Sequence, residues 1–147
     1  MRSRTDAWAG RRGFTLIEII VVIAVIAILA SVVSPMVFRN VSDAKQTAAR
    51  AQIEIFSLAL DAFRLDNDRY PTTAEGLEVL RAEPPADSVP NWRGPYLRKE
   101  VPLDPWGHPY IYRSPGDVNP TSYDLLSLGR DGQAGGDGED ADVESWK

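Results

Sequence analysis

The fold of this chain is decided by residues 14–34, which read FTLIEIIVVIAVIAILASVVS. Glu18 is the single charged residue in this run. About 20 apolar residues are needed to cross a bilayer as a helix, and in lipid a helix satisfies its backbone groups within one segment. The run therefore predicts a transmembrane helix over residues 14–35, with Pro35 at its end.

A short arginine-rich leader, residues 1–13, precedes this run. By the positive-inside rule the arginines stay cytoplasmic, so the chain after Pro35 lies across the membrane. A secretory signal peptide cut near Ala30 is the alternative interpretation. It fits less well because the apolar run exceeds the usual core of about 7–15 residues and contains Glu18.

The composition narrows the classes of function. The 147 residues carry a formal net charge of −5 and include no cysteine. Residues 1–13 hold four arginines against Asp6, a net +3, which leaves −8 on residues 14–147. An acidic domain argues against nucleic-acid binding, which needs a basic surface. Without cysteine, a small exported domain needs a brace other than a disulfide, and a bound metal is one option.

The residues after Pro35 continue with a helical pattern. Four apolar residues follow the spacing i, i+3, i+7 and i+10: Ile53, Phe56, Leu60 and Phe63. This periodicity predicts one long helix that is kinked at Pro35, ends near Asn67 and covers a small sheet with its apolar stripe.

The remaining residues predict short elements. The segment RYPTTAEGLEVL, residues 69–80, predicts a turn and a short helix that is capped by Thr73 and anchored by Leu77 and Leu80. Apolar runs separated by proline and glycine predict an antiparallel sheet of two to four strands. These runs are Tyr96-Leu97, residues 110–112 and residues 123–127, and the glycine-rich residues 129–140 predict a loop. The fold class is therefore α+β.

The segment RRGFTLIE, residues 11–18, carries chemistry of its own. Gly13 before bulky Phe14 offers a bond to a peptidase, and cutting it creates an α-amine one helical turn before Glu18. A lone carboxylate in lipid costs roughly 3 kcal/mol or more. The Phe14 amine of the same chain or of a staggered neighbour relieves that cost. Pairing with a neighbour would set the register between subunits. Snorkelling of Glu18 to the interface accounts for it equally well.

This segment and the apolar helix resemble the prepilin signature of type IV pilins and pseudopilins. The resemblance implies cleavage after Gly13 by a prepilin peptidase and N-methylation of Phe14. It also implies an assembly role for Glu18 and a helix break at Pro35.

Four later motifs resemble the major pseudopilin of type II secretion systems: LDNDRYPTTAEGLEVL, GPYL, DPWGHPYIY and SLGRDG. Two departures are Asp68, where that family usually has glycine, and Glu100, which looks like a one-residue insertion. The expected fold is pilin-like, with the long helix packed on the sheet and a calcium-binding loop at the C-terminus.

The loop in question, residues 127–146, mixes carboxylates with glycines, and calcium takes about six to eight oxygens on a chain free to curl. Composition alone favours a solvated, flexible acidic tail. The resemblance instead implies calcium, since major pseudopilins bind it in this loop. The candidate ligands are the side chains of Asp131, Asp140 and Asp142 and the carbonyls of Leu128 and Gln133.

The implied function is a structural polymer subunit, not an enzyme. The resemblance also implies a single-pass inner-membrane protein with its C-terminal domain, residues 36–147, in the periplasm. Its implied partners are the lipid bilayer, prepilin peptidase, further copies in a pseudopilus, minor pseudopilins and an inner-membrane assembly platform. A surface type IV pilus subunit, a monomeric calcium-binding or adhesive module and an anchored hydrolase are the alternatives. The hydrolase lacks a recognisable site, since His108, the one histidine, lies in a Pro/Gly-rich turn.

Overall fold

The structure of the protein, a computed structural model, describes residues 13–85 and 88–147, without the side chains of residues 33–40. A long helix is followed by loops and a small antiparallel sheet, which confirms the predicted α+β class. The leader residues 1–12 lie outside the described residues. The elements are α1 (Leu16–Asn67), a first 3₁₀ turn (Glu78–Leu80), β1 (Ile111–Arg113), β2 (Asp124–Ser127), a second 3₁₀ turn (Gly138–Asp140) and β3 (Val143–Glu144).

The helix α1 contains 52 residues and continues on both sides of Pro35. Pro35 therefore does not end the helix, and a bend at this residue stays a prediction. The chain divides into two compact units, Met1–Arg39 and Asn40–Lys147. No helix within the described part of the chain combines the length and the apolar character that a membrane crossing requires.

The apolar stripe predicted for the second half of α1 is confirmed. Its four residues, Ile53, Phe56, Leu60 and Phe63, are all buried. They share one core with Leu125 of β2 and Val143 of β3, and the ring of Phe56 meets that of Tyr110 edge to face at 5.1 Å. Each fully buried side chain of this size contributes about 1.5–3 kcal/mol, so the stripe fixes α1 on the sheet side of the domain.

The sheet has three antiparallel strands in the order β1-β2-β3. Tyr112 pairs with Leu125, and Ser127 pairs with Val143. The predicted number of strands is confirmed, but the strand predicted at Tyr96-Leu97 is wrong. The backbone N–H groups of Tyr96 and Leu97 both donate to the carbonyl of Leu80, so this segment is held by the first 3₁₀ turn and not by a sheet.

The cap predicted at Thr73 is also wrong. The Thr73 hydroxyl bonds the backbone of Ser114 instead, and the turn starts at Thr72. Thr72 Oγ accepts the Glu75 N–H, and Glu75 Oε2 accepts the Thr72 N–H, which is a reciprocal capping box. Arg69 binds both Glu75 oxygens at 2.7 Å, and this contact lowers the pKa of Glu75 to about 2. Leu77 and Leu80 anchor the segment in the core as predicted.

The C-terminus of α1 is closed by Asp68, one of the two departures noted from the resembled pattern. Asp68, directly after the helix, has φ +58°, and its N–H donates to the carbonyl of Arg64 at 2.7 Å. A left-handed residue at this position closes the helix, and glycine adopts it without the Cβ clash that other residues meet. Asp68 therefore holds a backbone conformation that glycine adopts more easily.

Replacing Asp68 with glycine is expected to raise the free energy of unfolding by about 0.5–1 kcal/mol, because the left-handed strain exceeds the extra chain entropy of glycine. The measurement is urea unfolding of the full chain in a nonionic detergent. Asp68→Ala is the control, since it keeps a Cβ and should not stabilise. A loss of stability in Asp68→Gly, or an equal gain in Asp68→Ala, would contradict this account.

Candidate functional site

The predicted processing bond lies in an open segment. Gly13 and Phe14 come before the first turn of α1 and both are exposed, Phe14 by 77%. A Cβ built on Gly13 meets no heavy atom within 4 Å. The Gly13–Phe14 bond is thus non-helical and unobstructed by the described residues.

Glu18 lies in the first turn of α1 and is exposed. The hydroxyl of Thr15 accepts the backbone N–H of Glu18 at 3.3 Å, so Thr15 caps the helix. The pattern T-x-x-E at Thr15 and Glu18 is a capping signal that sequence reasoning missed. Because Phe14 precedes the helix, it is not yet on the helical face of Glu18 in the uncut chain.

The C-terminal loop makes one contact with α1 and one within itself. The side chain of Gln46, on α1, donates to the carbonyl of Gly138 in the second 3₁₀ turn. The backbone N–H of Arg130 donates to the carbonyl of Glu139 at 3.0 Å. The loop therefore closes on itself and lies against α1, and neither contact was foreseen from the sequence.

The three predicted carboxylate ligands have different partners. Asp131 Oδ1 accepts the N–H of Gln133 at 3.0 Å. Asp140 is held by Arg130, with Nε to Oδ1 at 2.9 Å and Nη2 to Oδ2 at 3.1 Å. Asp142 Oδ2 accepts the N–H of Gly135 at 2.9 Å. Among the described residues, no three histidine or carboxylate side chains are arranged to hold a metal ion.

Two features of the loop nevertheless fit a cation. Asp142 Oδ1 is buried and has no hydrogen-bond partner among the described residues. A Cβ on Gly136 would lie 2.5 Å from the carbonyl oxygen of Asp140, and one on Gly129 would lie 2.8 Å from the same oxygen. The backbone thus approaches closely where glycine alone permits it. Asp142 Oδ1 is therefore an unpaired acceptor in the described structure, whereas both Asp140 side-chain oxygens are paired with Arg130.

Arg130 is the basic residue of residues 127–146, and the predicted site did not include it. Its side chain is 57% exposed, and Nη1 contacts Glu139 Oε2 at 2.6 Å in addition to the two bonds with Asp140. The hydrogen bonds to Asp140 raise the pKa of Arg130 above its already high value. The sequence offered one signal for a role of Arg130 in the site, namely its position directly before the predicted ligand Asp131.

A buried polar network fixes the start of the loop. Asp104, which is 5% exposed, accepts the N–H groups of Trp106 and His108 on Oδ1 and the hydroxyl of Ser127 on Oδ2. Ser127 Oγ accepts the N–H of Gly129, and His108 Nδ1 lies 3.0 Å from the Gly129 carbonyl. The turn around Asp104 therefore anchors Ser127, at the end of β2, and Gly129, which follows the strand.

This network does not have the geometry of a hydrolytic triad. The Ser127 hydroxyl donates to Asp104 at 2.5 Å, so its proton faces the carboxylate, not an imidazole base. His108 Nδ1 is 4.0 Å from Asp104 Oδ2. Burial, reinforced by the Asp104 charge, raises the pKa of neighbouring Tyr110 to about 12. The interpretation of His108 as a turn residue is confirmed.

Two family models match the chain. The one described as "Type II secretion system (T2SS), protein G" covers residues 36–146, and the one described as "Prokaryotic N-terminal methylation motif" covers residues 8–34. Together they span the processing segment, α1, the sheet and the acidic loop.

Characterised relatives agree with these models. The protein named "Type II secretion system core protein G" from Pseudomonas aeruginosa is 46% identical over 135 residues, 91% of this chain and 94% of its own. The protein of that name from Vibrio cholerae is 45% identical over 135 residues, 91% and 90% of the two chains. The crystal structure of the major pseudopilin from the type 2 secretion system of enterohaemorrhagic Escherichia coli matches with a TM-score of 0.60 and 34% identity. That match covers 73% of this chain and 90% of the crystallised chain.

Ser127→Ala is expected to lower the free energy of unfolding by about 1–3 kcal/mol, because it leaves Asp104 Oδ2 and the Gly129 N–H without their shared partner. Hydrogen exchange should show faster exchange at the Gly129 amide. Ser88→Ala removes an exposed hydroxyl bonded to the Pro85 carbonyl and serves as the control. Equal stability of the two variants would show that the network does not anchor the loop.

Proposed function

Because the chain belongs to the type II secretion system protein G family, we propose that it is the major structural subunit of a secretion pseudopilus and not an enzyme. Prepilin peptidase removes residues 1–13, and Phe14 becomes the N-methylated N-terminus. The subunit waits in the inner membrane with residues 36–147 in the periplasm. An inner-membrane assembly platform and minor pseudopilins then incorporate it into the filament, whose growth drives protein export across the outer membrane.

The exposed first half of α1 carries this proposal. Every described side chain of residues 16–32 is exposed, and the large apolar ones include Ile17, Ile23 and Leu29. A helix that is apolar all round is stable where lipid or other apolar helices surround it. In the proposal, lipid surrounds this half in the monomer and neighbouring α1 helices surround it in the filament. The bilayer-spanning part rests on the sequence run 14–34.

The local structure of the processing segment supports cleavage. A peptidase must bind the scissile bond in an extended form, and the Gly13–Phe14 bond already lies outside α1. Gly13 presents no side chain to the enzyme, and its surroundings within the described chain are open. Cleavage here leaves Phe14 two residues before the helix begins.

Glu18 supplies the directional element that apolar packing lacks. Its place in the first turn of α1 puts the carboxylate near the positive end of the helix dipole, which stabilises it by about 0.3–1 kcal/mol. That is less than the roughly 3 kcal/mol cost of a charge in lipid. A positive charge is needed for the rest, and the new Phe14 amine of the same chain or a neighbour provides it. Pairing with a neighbour fixes the stagger between subunits.

The C-terminal loop is proposed to bind calcium through Asp131, Asp140 and Asp142, with the carbonyls of Leu128 and Gln133. The buried, unpartnered Asp142 Oδ1 within the described structure and the close approach of the loop backbone at Gly129 support it. Calcium would supply a brace in a domain without cysteine. The bond between Asp140 and Arg130 must open before Asp140 can bind the ion.

A surface type IV pilus subunit shares the N-terminal features of this proposal. The match of residues 36–146 to protein G of type II secretion favours the secretion pseudopilus. A monomeric membrane-anchored module differs more sharply, since it requires neither cleavage after Gly13 nor a role for Glu18 in assembly.

Glu18→Ala is expected to abolish filaments and export while leaving cleavage and membrane insertion intact, because the apolar run and the Gly13–Phe14 bond are unchanged. Electron microscopy of overproduced filaments and a secretion assay measure the loss. Intact mass should show that the wild-type chain has lost residues 1–13 and gained one methyl group. Glu83→Ala, at an exposed loop position, is the control. Normal filaments in Glu18→Ala, or an uncut wild-type chain, would refute the proposal.

Calcium is expected to raise the melting temperature of the full chain relative to a chelator. A hundredfold excess over Kd contributes about 2.7 kcal/mol. Calorimetry in detergent with each additive measures the difference. Asp142→Asn should lose the response, whereas Asp137→Asn, at an exposed position in the same loop, should keep it. Identical melting of the wild-type chain in both additives would remove calcium from the proposal.

A further inference from the structure

We propose that Arg130 is a built-in competitor for calcium: its guanidinium holds Asp140 and Glu139 in the metal-free loop, and calcium binds by displacing it. This inference rests on the calcium site proposed above and concerns how that site is regulated. It follows from two observations on the predicted ligands. Both side-chain oxygens of Asp140 are bonded to Arg130, and Asp142 Oδ1 has no hydrogen-bond partner among the described residues.

Arg130 binds the second 3₁₀ turn through both its side chain and its backbone. Nε and Nη2 reach the two oxygens of Asp140 at 2.9 and 3.1 Å, and Nη1 reaches Glu139 at 2.6 Å. The backbone N–H of Arg130 donates to the Glu139 carbonyl at 3.0 Å. A bidentate pair of this kind is stronger and more directional than a single charged contact, so it closes the loop without a metal.

Calcium and Arg130 cannot both be close to Asp140 without cost. The ion carries two positive charges, and a guanidinium in direct contact with one of its ligands repels it. Arg130 is also the residue next to Asp131, a second predicted ligand. Binding of calcium therefore exchanges one cation for another on the same carboxylate, and the affinity reflects the difference between the two.

Asp142, unlike Asp140, is not paired with a cationic side chain in the described structure. One of its oxygens is satisfied by the Gly135 N–H, while the other is buried and without a hydrogen-bond partner in the described residues. A buried carboxylate oxygen in this condition favours a cation, because an unmet acceptor costs free energy. In the loop, Asp142 is thus free to bind a cation and Asp140 is occupied by Arg130. This arrangement is expected of a site whose calcium affinity is lowered by a competing group.

The exchange has a physical consequence for the domain. At low calcium the loop stays closed on Arg130, so the chain is braced even though it lacks a disulfide. At high calcium the ion binds Asp140 in place of Arg130. The Arg130 side chain, which is already 57% exposed, then turns fully to solvent. Arg130 would therefore set the calcium concentration at which the loop changes state.

Calorimetric titration of the full chain in nonionic detergent, together with melting in chelator, tests this inference. Arg130→Ala should bind calcium at least tenfold more tightly than the wild-type chain and should melt at a lower temperature in chelator. Arg130→Lys keeps the charge but loses the planar fork, so its affinity should fall between the two. Arg113→Ala breaks a comparable exposed pair with Asp117 away from the loop and should change neither quantity.

Two results would overturn the inference in distinguishable ways. Equal or weaker calcium binding by both Arg130 variants, with calcium binding by the wild-type chain intact, would show that Arg130 does not compete and would leave the calcium site standing. Absence of calcium binding in the wild-type chain and in all variants would refute the site itself and the competition with it. Should Arg130→Ala fail to fold, Arg130→Lys still decides between these outcomes.

Discussion

The exposed apolar surface of the first half of α1 is the feature on which the proposed function depends. Residues 16–32 expose apolar side chains all round the helix, whereas the second half buries a single stripe that includes Phe56 and Leu60. In the proposal, one continuous helix therefore serves two environments. Apolar packing alone does not fix the register between neighbouring helices, because apolar contacts are non-directional. A charge near the start of the rod, at Glu18, is the directional element that the proposed filament needs.

The unit Asn40–Lys147 retains its C-terminal residues by polar contacts as well as by apolar ones. Val143 enters the core, but β3 has two residues and pairs with β2 alone. The loop between β2 and β3 is held at its start by the network of Asp104 and Ser127 and farther along by Gln46 and Arg130. Exposed ion pairs each contribute roughly 0–1 kcal/mol, so the contacts of Arg130 hold their part of the loop less strongly than the buried network holds its start. A segment of that kind is suited to change partners when a cation arrives.

Regular, strongly periodic segments could be predicted from the sequence, and contacts between distant residues could not. The end of α1 at Asn67 and its buried stripe followed from helical spacing, because burial on one face imposes that spacing. The two-residue strand β3 has no periodicity of its own and exists through pairing with β2. The cap at Thr72 was missed in favour of Thr73, although the glutamate three residues after Thr72 distinguishes them. Within the candidate site, ligand types followed from composition, whereas the pairing of Arg130 with Asp140 needed the fold.

The charge of the domain connects the loop to the proposed filament. Residues 14–147 carry −8, and several of these charges crowd the last residues of the chain. Charges closer than about one Debye length, roughly 8 Å at physiological ionic strength, are not fully screened, so acidic loops that came this close in the proposed filament would repel each other. Arg130 neutralises part of its own loop and stays in the chain when it is displaced, so a bound calcium ion would add two positive charges to the loop. The exchange proposed at Arg130 therefore alters the electrostatic cost that every added subunit brings to the filament.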